Sequence, residues 1–273
     1  MSTMKFDFRG KRAFVSGSTS GIGAAITRLL AQSGAAVVIH GRNAERAERM
    51  RAEIEAKGGT AVIALGAIDN ARDMARIVSM ADDALGGIDI LVCNAGEAQP
   101  FSPDWFSTPP EDWLTNYDRN VGGTVRMIQA FVPGMKERGH GRVILIGSTA
   151  YYAPVPDFPA YGPAKAALIN IMVNLCQVLS NTGVTVNTVS PGSVLTETMA
   201  ANLKPMSAAQ GWSETDDQVI ERRLVAEKWP NAVGRMGRPE EIAATVAFVA
   251  SDEAAFMTGA NIRVNGGEKP SLH

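Results

Sequence analysis

Short apolar runs alternate with longer stretches of helical periodicity almost from one end of the chain to the other. Seven runs read as strands: 12–16, 36–40, 61–65, 88–93, 142–147, 185–190 and 261–264. Most are rich in Val, Ile and Leu, as strands buried on both faces of a parallel sheet are. The stretches between them, such as 22–33 and 44–57, carry helical periodicity. Strand–helix alternation of this kind predicts an α/β, doubly wound fold. Its single parallel sheet has about seven strands, with helices on both faces.

Two stretches break the rhythm. Residues 97–112 are rich in Pro and aromatics, with Phe101, Trp105 and Phe106. Residues 196–234 form a longer insertion carrying Met199, Leu203, Met206, Trp212 and Trp229. Both follow strands, and ligands of open α/β sheets bind beyond the strands' carboxyl ends. They are expected to be pocket wall and substrate lid. Val155 and Phe158, with Trp105, Met199, Met206 and Trp212, suggest an apolar pocket.

Composition narrows the classes. The 273 residues are 45% hydrophobic and 20% charged, which suits one soluble domain over 1–273. There is no composition break or Gly/Ser linker. A net charge of −2 makes no case for nucleic acid or an anionic membrane. No apolar run reaches the roughly 18–20 residues needed to span a bilayer, and the N-terminus lacks a signal-like segment. A cytoplasmic location is expected. Cys93 and Cys176 read as reduced thiols. His40, His140 and His273 are scattered, so no metal site is expected.

Chemistry enters at two places. Gly17, Ser18, Thr19, Ser20, Gly21, Ile22 and Gly23 lie between the first strand and the first helix. Glycines let such a turn take positive φ and approach a pyrophosphate closely. The helix that follows offers free N–H groups and a positive dipole end. The spacing is G-x-x-x-G-x-G, not the G-x-G-x-x-G dinucleotide fingerprint. Further on, Tyr161 and Lys165 stand four residues apart, on one helical face. Ser148 lies thirteen residues before the tyrosine. A free phenol titrates near 10, and a nearby ammonium favours the phenolate. Tyr161 is thus the candidate acid/base, Lys165 its tuning group, and Ser148 a hydrogen-bond donor to the substrate oxygen. Tyr151 and Tyr152 have no lysine four residues on.

These features, with Asn94-Ala95-Gly96, Asn120-Val121, Pro191-Gly192, Thr196 and Asn265-Gly266-Gly267, make the chain resemble the short-chain dehydrogenase/reductase family in its one-domain form. The resemblance runs from about Gly10 to Gly267 and implies a Rossmann fold. It implies that Asn94, Ala95 and Gly96 steady the sheet near the adenosine ribose. Pro191, Gly192 and Val194 would flank the nicotinamide, with Thr196 near the phosphates. Lys165 would also bind ribose hydroxyls, and Asn120 would hold a water in a proton relay. It further implies a small carbonyl or alcohol substrate and a homotetramer. The apolar breadth of 164–179 fits burial on several sides. Three residues separate Tyr161 from Lys165, where an enoyl reductase of this superfamily would have six.

NAD sites place an acid about twenty residues after the glycine turn, against the ribose 2′-hydroxyl. Here Gly41 stands at that position and Arg42 follows. An arginine there pairs with a 2′-phosphate, so NADP(H) is favoured over NAD(H). Many relatives carry an aspartate where Ala67 falls. Either Asp69 replaces it, or adenine is met by backbone near Ile68. The resulting expectation is an NADP-dependent ketone/alcohol oxidoreductase. A 3-oxoacyl-[acyl-carrier-protein] reductase is the alternative; Arg138 suits an acidic carrier, but Thr182 stands where a second basic residue is wanted. A catalytically inactive cofactor-binding regulator is a third reading.

Overall fold

A computed structural model describes residues 6–96 and 105–269. The part of the expected pocket wall from 97 to 104, Phe101 included, lies outside the described residues. Seven strands form one parallel sheet: β1 (Arg12–Val15), β2 (Ala36–Gly41), β3 (Thr60–Leu65), β4 (Ile90–Cys93), β5 (Gly141–Ile146), β6 (Val184–Pro191) and β7 (Asn261–Val264). Their order is β3-β2-β1-β4-β5-β6-β7. The order reverses between β1 and β4, so a crevice opens beyond the carboxyl ends of those two strands.

The described residues include nine α-helices. They are α1 (Gly21–Gln32), α2 (Ala44–Glu55), α3 (Ala71–Leu85), α4 (Pro110–Tyr117), α5 (Gly123–Glu137), α6 (Tyr161–Val178), α7 (Glu197–Ala209), α8 (Asp217–Glu227) and α9 (Pro239–Ala250). The apolar runs split by alternate residues. Ala13, Val15, Ile90, Val92, Ile144 and Ile146 face a core with α1, α2 and α9. Phe14, Leu91, Cys93, Val143 and Leu145 face a second core with α3, α5 and α6. Two cores explain why the strands lack polar alternation: neither face meets water.

Residues 196–234 contain α7 and α8, which bury a small core of Leu203, Ile220, Leu224, Val225 and Met236. Met199, Met206 and Trp212, expected to line a pocket, pack against that core. Trp212 also stacks under the Arg223 guanidinium at 4.2 Å. Apolar residues in an insertion have two surfaces competing for them, and here the insertion's own core takes these. Buried Glu221 braces the unit: it accepts from the Met236 amide at 3.0 Å and from Arg238 at 2.7 and 3.1 Å.

Candidate active site

The turn between β1 and α1 is shaped by glycine. Gly17 (φ +63) and Gly21 (φ +53) are left-handed, a conformation that costs other residues energy. A Cβ on Gly23 would run into the Gly17 carbonyl and the Asn94 amide, so only glycine lets α1 approach so closely. The first amides of α1 have no intrahelical acceptor, and the Ser20 side chain does not cap them. An anion can take that place.

Asn94, at the end of β4, ties the crevice together. Its Nδ2 donates to the Ser16 carbonyl at 2.8 Å and the Gly17 carbonyl at 3.2 Å. Ser16 Oγ accepts from the Asn94 and Ala95 amides at 2.9 and 2.8 Å. Thr196 caps α7, accepting from the Met199 amide at 3.2 Å, and its methyl overhangs Gly21.

A cleft of about 510 Å³ follows the crevice. It is lined by Gly17, Thr19–Gly23, Arg42, Ile68, Asn94–Gly96, Ser148, Tyr161, Lys165, Pro191, Gly192, Val194 and Thr196. That is nearly the whole set expected from the sequence. Ser18 stands apart. It is fully buried and absent from the wall. Its Oγ accepts from the His40 amide at 2.7 Å, because a left-handed Gly17 turns the next side chain inward. Asn120 also lies behind the wall, its Oδ1 against Gly96 and its Nδ2 donating to the Asn116 carbonyl at 3.0 Å. The glycine positions, the unmatched helix amides and the cleft's volume fit a dinucleotide.

At the other end, Tyr161 opens α6 with Lys165 one turn on. The Lys165 Nζ donates to the Ile146 carbonyl at 3.0 Å and lies 5.5 Å from the Tyr161 ring centroid. Burial pushes its ammonium down to about 8. Ser148 lies on the phenol's side of the cleft and favours its ionised form, and its Oγ accepts from the Ala150 amide at 3.2 Å. Proximity to Lys165 alone suggests a lowered phenol pKa. Instead burial raises it above the ordinary value, and Ser148 only partly offsets this.

Sequence reasoning missed several groups. Arg119 lines the cleft and pairs with Asp69 at 3.5 Å, across fifty positions of sequence. Asp69 thus lines the same cleft, engaged by an arginine. Glu268, a buried carboxyl raised by burial, accepts from Thr149 Oγ1 at 3.5 Å and borders Gly192. Tyr152 is not a plain surface residue. Its hydroxyl donates to the Glu268 carbonyl at 2.7 Å and accepts from Asn265 Nδ2 at 2.8 Å. Tyr152→Phe is expected to cost about 1 kcal/mol of stability, read as a lower denaturant midpoint at constant m, with kcat nearly unchanged.

His40 was also passed over. It is 3% exposed, and burial pushes its imidazole down to about 4 from 6.5. Between those values the unfolded chain binds a proton that the folded chain refuses. The stability from a neutral His40 is thus fully present above pH 6.5 and lost as pH falls toward 4. Up to about 3 kcal/mol is expected. Urea unfolding at pH 7 and 4.5 should give a larger loss for wild type than for His40→Asn; equal losses would refute it.

Among the described residues no group of three His, Cys, Asp or Glu could hold a metal, and no helix is long and apolar enough to cross a membrane. Comparison with known proteins agrees with the geometry. A family model described as Enoyl-(Acyl carrier protein) reductase matches residues 17–269. The chain is 35% identical over 265 residues to the uncharacterized oxidoreductase YvaG of Bacillus subtilis, covering 97% of this chain and 98% of that protein. It is 34% identical to dehydrogenase/reductase SDR family member 4 of Bos taurus, over 96% of this chain and 88% of the relative. L-sorbose reductase from Gluconobacter frateurii, solved with NADPH and L-sorbose, superposes with a TM-score of 0.91 at 28% identity, covering 98% and 100% of the two chains. A 3-oxoacyl (acyl-carrier-protein) reductase from Agrobacterium tumefaciens with NADP bound gives 0.84 at 34% identity, covering 96% of each. With such likeness along its whole length, the chain belongs to the short-chain dehydrogenase/reductase family, as an NAD(P)-dependent oxidoreductase acting on CH–OH groups.

Proposed function

We propose that the protein is an NADP-dependent oxidoreductase interconverting a ketone and a secondary alcohol, with Tyr161 as acid/base. One observation carries this: Ser148, Tyr161 and Lys165 open onto the same cleft as the glycine turn. A nicotinamide bound there supplies or accepts the hydride. Tyr161 gives a proton to the substrate oxygen during reduction and takes one during oxidation. Its raised pKa keeps the phenol protonated at neutral pH, which suits the reducing direction. Ser148 hydrogen-bonds the same oxygen. Lys165 orients the tyrosine and holds ribose hydroxyls, and Asn120, behind Gly96, carries the proton path inward. Residues 196–234 serve as the lid.

The preference for NADP(H) rests on Arg42 at the cleft and on Gly41 in place of an acid. Two similar structures were solved with NADPH or NADP, which supports it. The three-residue spacing between Tyr161 and Lys165 favours carbonyl chemistry, although the matching family model is described as an enoyl reductase.

A 3-oxoacyl-carrier reductase is the second reading, favoured by the 34% identical neighbour. The basic residues speak against it. Arg138 is engaged by the Ile88 carbonyl and by Asp89 at 3.6 Å, and Thr182 Oγ1 donates to the Leu179 carbonyl at 2.6 Å. The test is a panel of ketoses, aromatic and steroid ketones, 3-oxoacyl thioesters and secondary alcohols. It is followed by NADPH absorbance after titration of both cofactors. Activity confined to carrier-linked thioesters would favour the second reading. No turnover with either cofactor would leave a cofactor-binding regulator.

The assembly is a homotetramer in this reading. On α6, Val173 and Val178 are exposed, and Leu114 and Tyr117 of α4 add to that apolar surface. Sedimentation at micromolar concentration is expected to give a tetramer; a monomer would overturn this.

A further inference from the structure

We propose that His40 is a positioning residue of the phosphate turn: its Nδ1 holds the Gly17 amide and sets the turn in its binding shape before the dinucleotide arrives. The inference rests on the dinucleotide-binding reading above. The Gly17 N–H donates to His40 Nδ1 at 3.1 Å. A backbone amide can only donate, so Nδ1 must carry a lone pair and the proton must sit on Nε2. An imidazolium could not make this bond. Burial keeps the ring neutral at working pH. The ring lies 5.6 Å from Phe14, itself packed on Phe131. Nε2 is buried beside the Gly66 backbone without a well-formed hydrogen bond.

Three further contacts join the same two segments. The Ser18 amide donates to the His40 carbonyl at 2.8 Å, Ser18 Oγ lies 3.2 Å from that carbonyl, and the His40 amide donates to Ser18 Oγ at 2.7 Å. All three involve the His40 backbone, so they survive any side-chain change at position 40. Only the Gly17 bond needs the imidazole. An apolar residue would fill the space between Phe14 and the turn as well; what histidine adds is an acceptor.

That acceptor has a consequence for binding. Gly17 is left-handed, so its conformation is one among several that glycine reaches easily. With its amide pinned beneath the turn, Ser20 and the unmatched amides at the start of α1 stay on the cleft wall, where phosphates would bind. Without the pin, the competent turn is only a fraction of the population, and apparent affinity falls by that fraction.

The test compares His40→Leu, which removes the acceptor, with His40→Asn, whose side-chain oxygen can take the place of Nδ1. Equilibrium titration should show His40→Leu weakening NADPH and NADH alike, by about tenfold. His40→Asn should recover most of the loss, and kcat at saturating cofactor should stay near wild type in both. A purely structural role would lower thermal stability without this KM-against-kcat split. His40→Leu binding both cofactors like wild type would overturn the proposal, as would His40→Asn binding no better than His40→Leu.

The wild-type protein provides a check that needs no variant. The chain has three histidines, so ring ¹⁵N signals are assignable. His40 is expected as the Nε2–H tautomer at pH 7, with slow exchange of the Gly17 amide in the cofactor-free protein. A protonated Nδ1 or a fast-exchanging Gly17 amide would overturn the proposal even if His40→Leu does not fold. Wild type binding neither dinucleotide would instead defeat the functional reading.

Discussion

Tyr161→Phe is expected to bind cofactor like wild type and to lose about 10²–10⁴-fold in kcat, the usual worth of a general acid–base group. The ring keeps its place at the head of α6 while the transferable proton disappears. The loss therefore falls on kcat and kcat/KM together, the sign of an interaction made in the transition state. Burial holds the phenol above its ordinary value and lowers the ammonium of Lys165 to about 8, so the cofactor-free site holds a neutral phenol beside a lysine still mostly protonated at neutral pH. Tyr152→Phe is the control: it removes the same atom from a neighbouring tyrosine that ties the C-terminal segment. The measurement is kcat and cofactor affinity for both variants with one active substrate. Equal turnover by the two would show that Tyr161 is not the acid/base.

The fold was legible because parallel strands buried on two faces leave continuous apolar runs. Those of β1, β2 and β5 were placed to within a residue or so. The proposed catalytic trio could be read from the chain because two of its members share a helix face and the third follows a strand closely. What escaped was whatever depends on distant partners. His40 reads as an isolated histidine until Gly17, twenty-three positions away, donates to it. Arg119 reads as a surface charge until it meets Asp69. Ser18 belongs to a phosphate-binding pattern, yet its hydroxyl turns to the His40 backbone. The direction of the Tyr161 shift was missed for a related reason: sequence names the neighbours of a phenol but not how much water they exclude.

Arg42→Ala is expected to weaken NADPH about ten- to a hundredfold and leave NADH nearly unchanged, since a charged hydrogen bond contributes about 1.5–3 kcal/mol. Arg42 follows the last residue of β2, on the cleft wall. Asn43 next to it caps α2, accepting from the Arg46 amide at 2.8 Å, so the site also faces the positive end of a helix. Both features attract a 2′-phosphate, and neither matters to a 2′-hydroxyl. Arg42 is exposed, so the preference should shrink as salt rises. Gly41→Asp would place a carboxylate against the phosphate, but it is the less clean probe. A Cβ at Gly41 would stand 2.9 Å from Thr19 Cγ2 and Oγ1, so the turn must repack to admit it. Titrating both cofactors against wild type and Arg42→Ala decides the matter. Tighter binding of NADH by wild type would assign the enzyme to NAD and leave Arg42 a charge at the cleft's edge. Equal losses for the two cofactors would mean that Arg42 supports the turn rather than the 2′-phosphate. A loss confined to NADPH fits only direct recognition of that phosphate, because the 2′-phosphate is the sole difference between the two ligands.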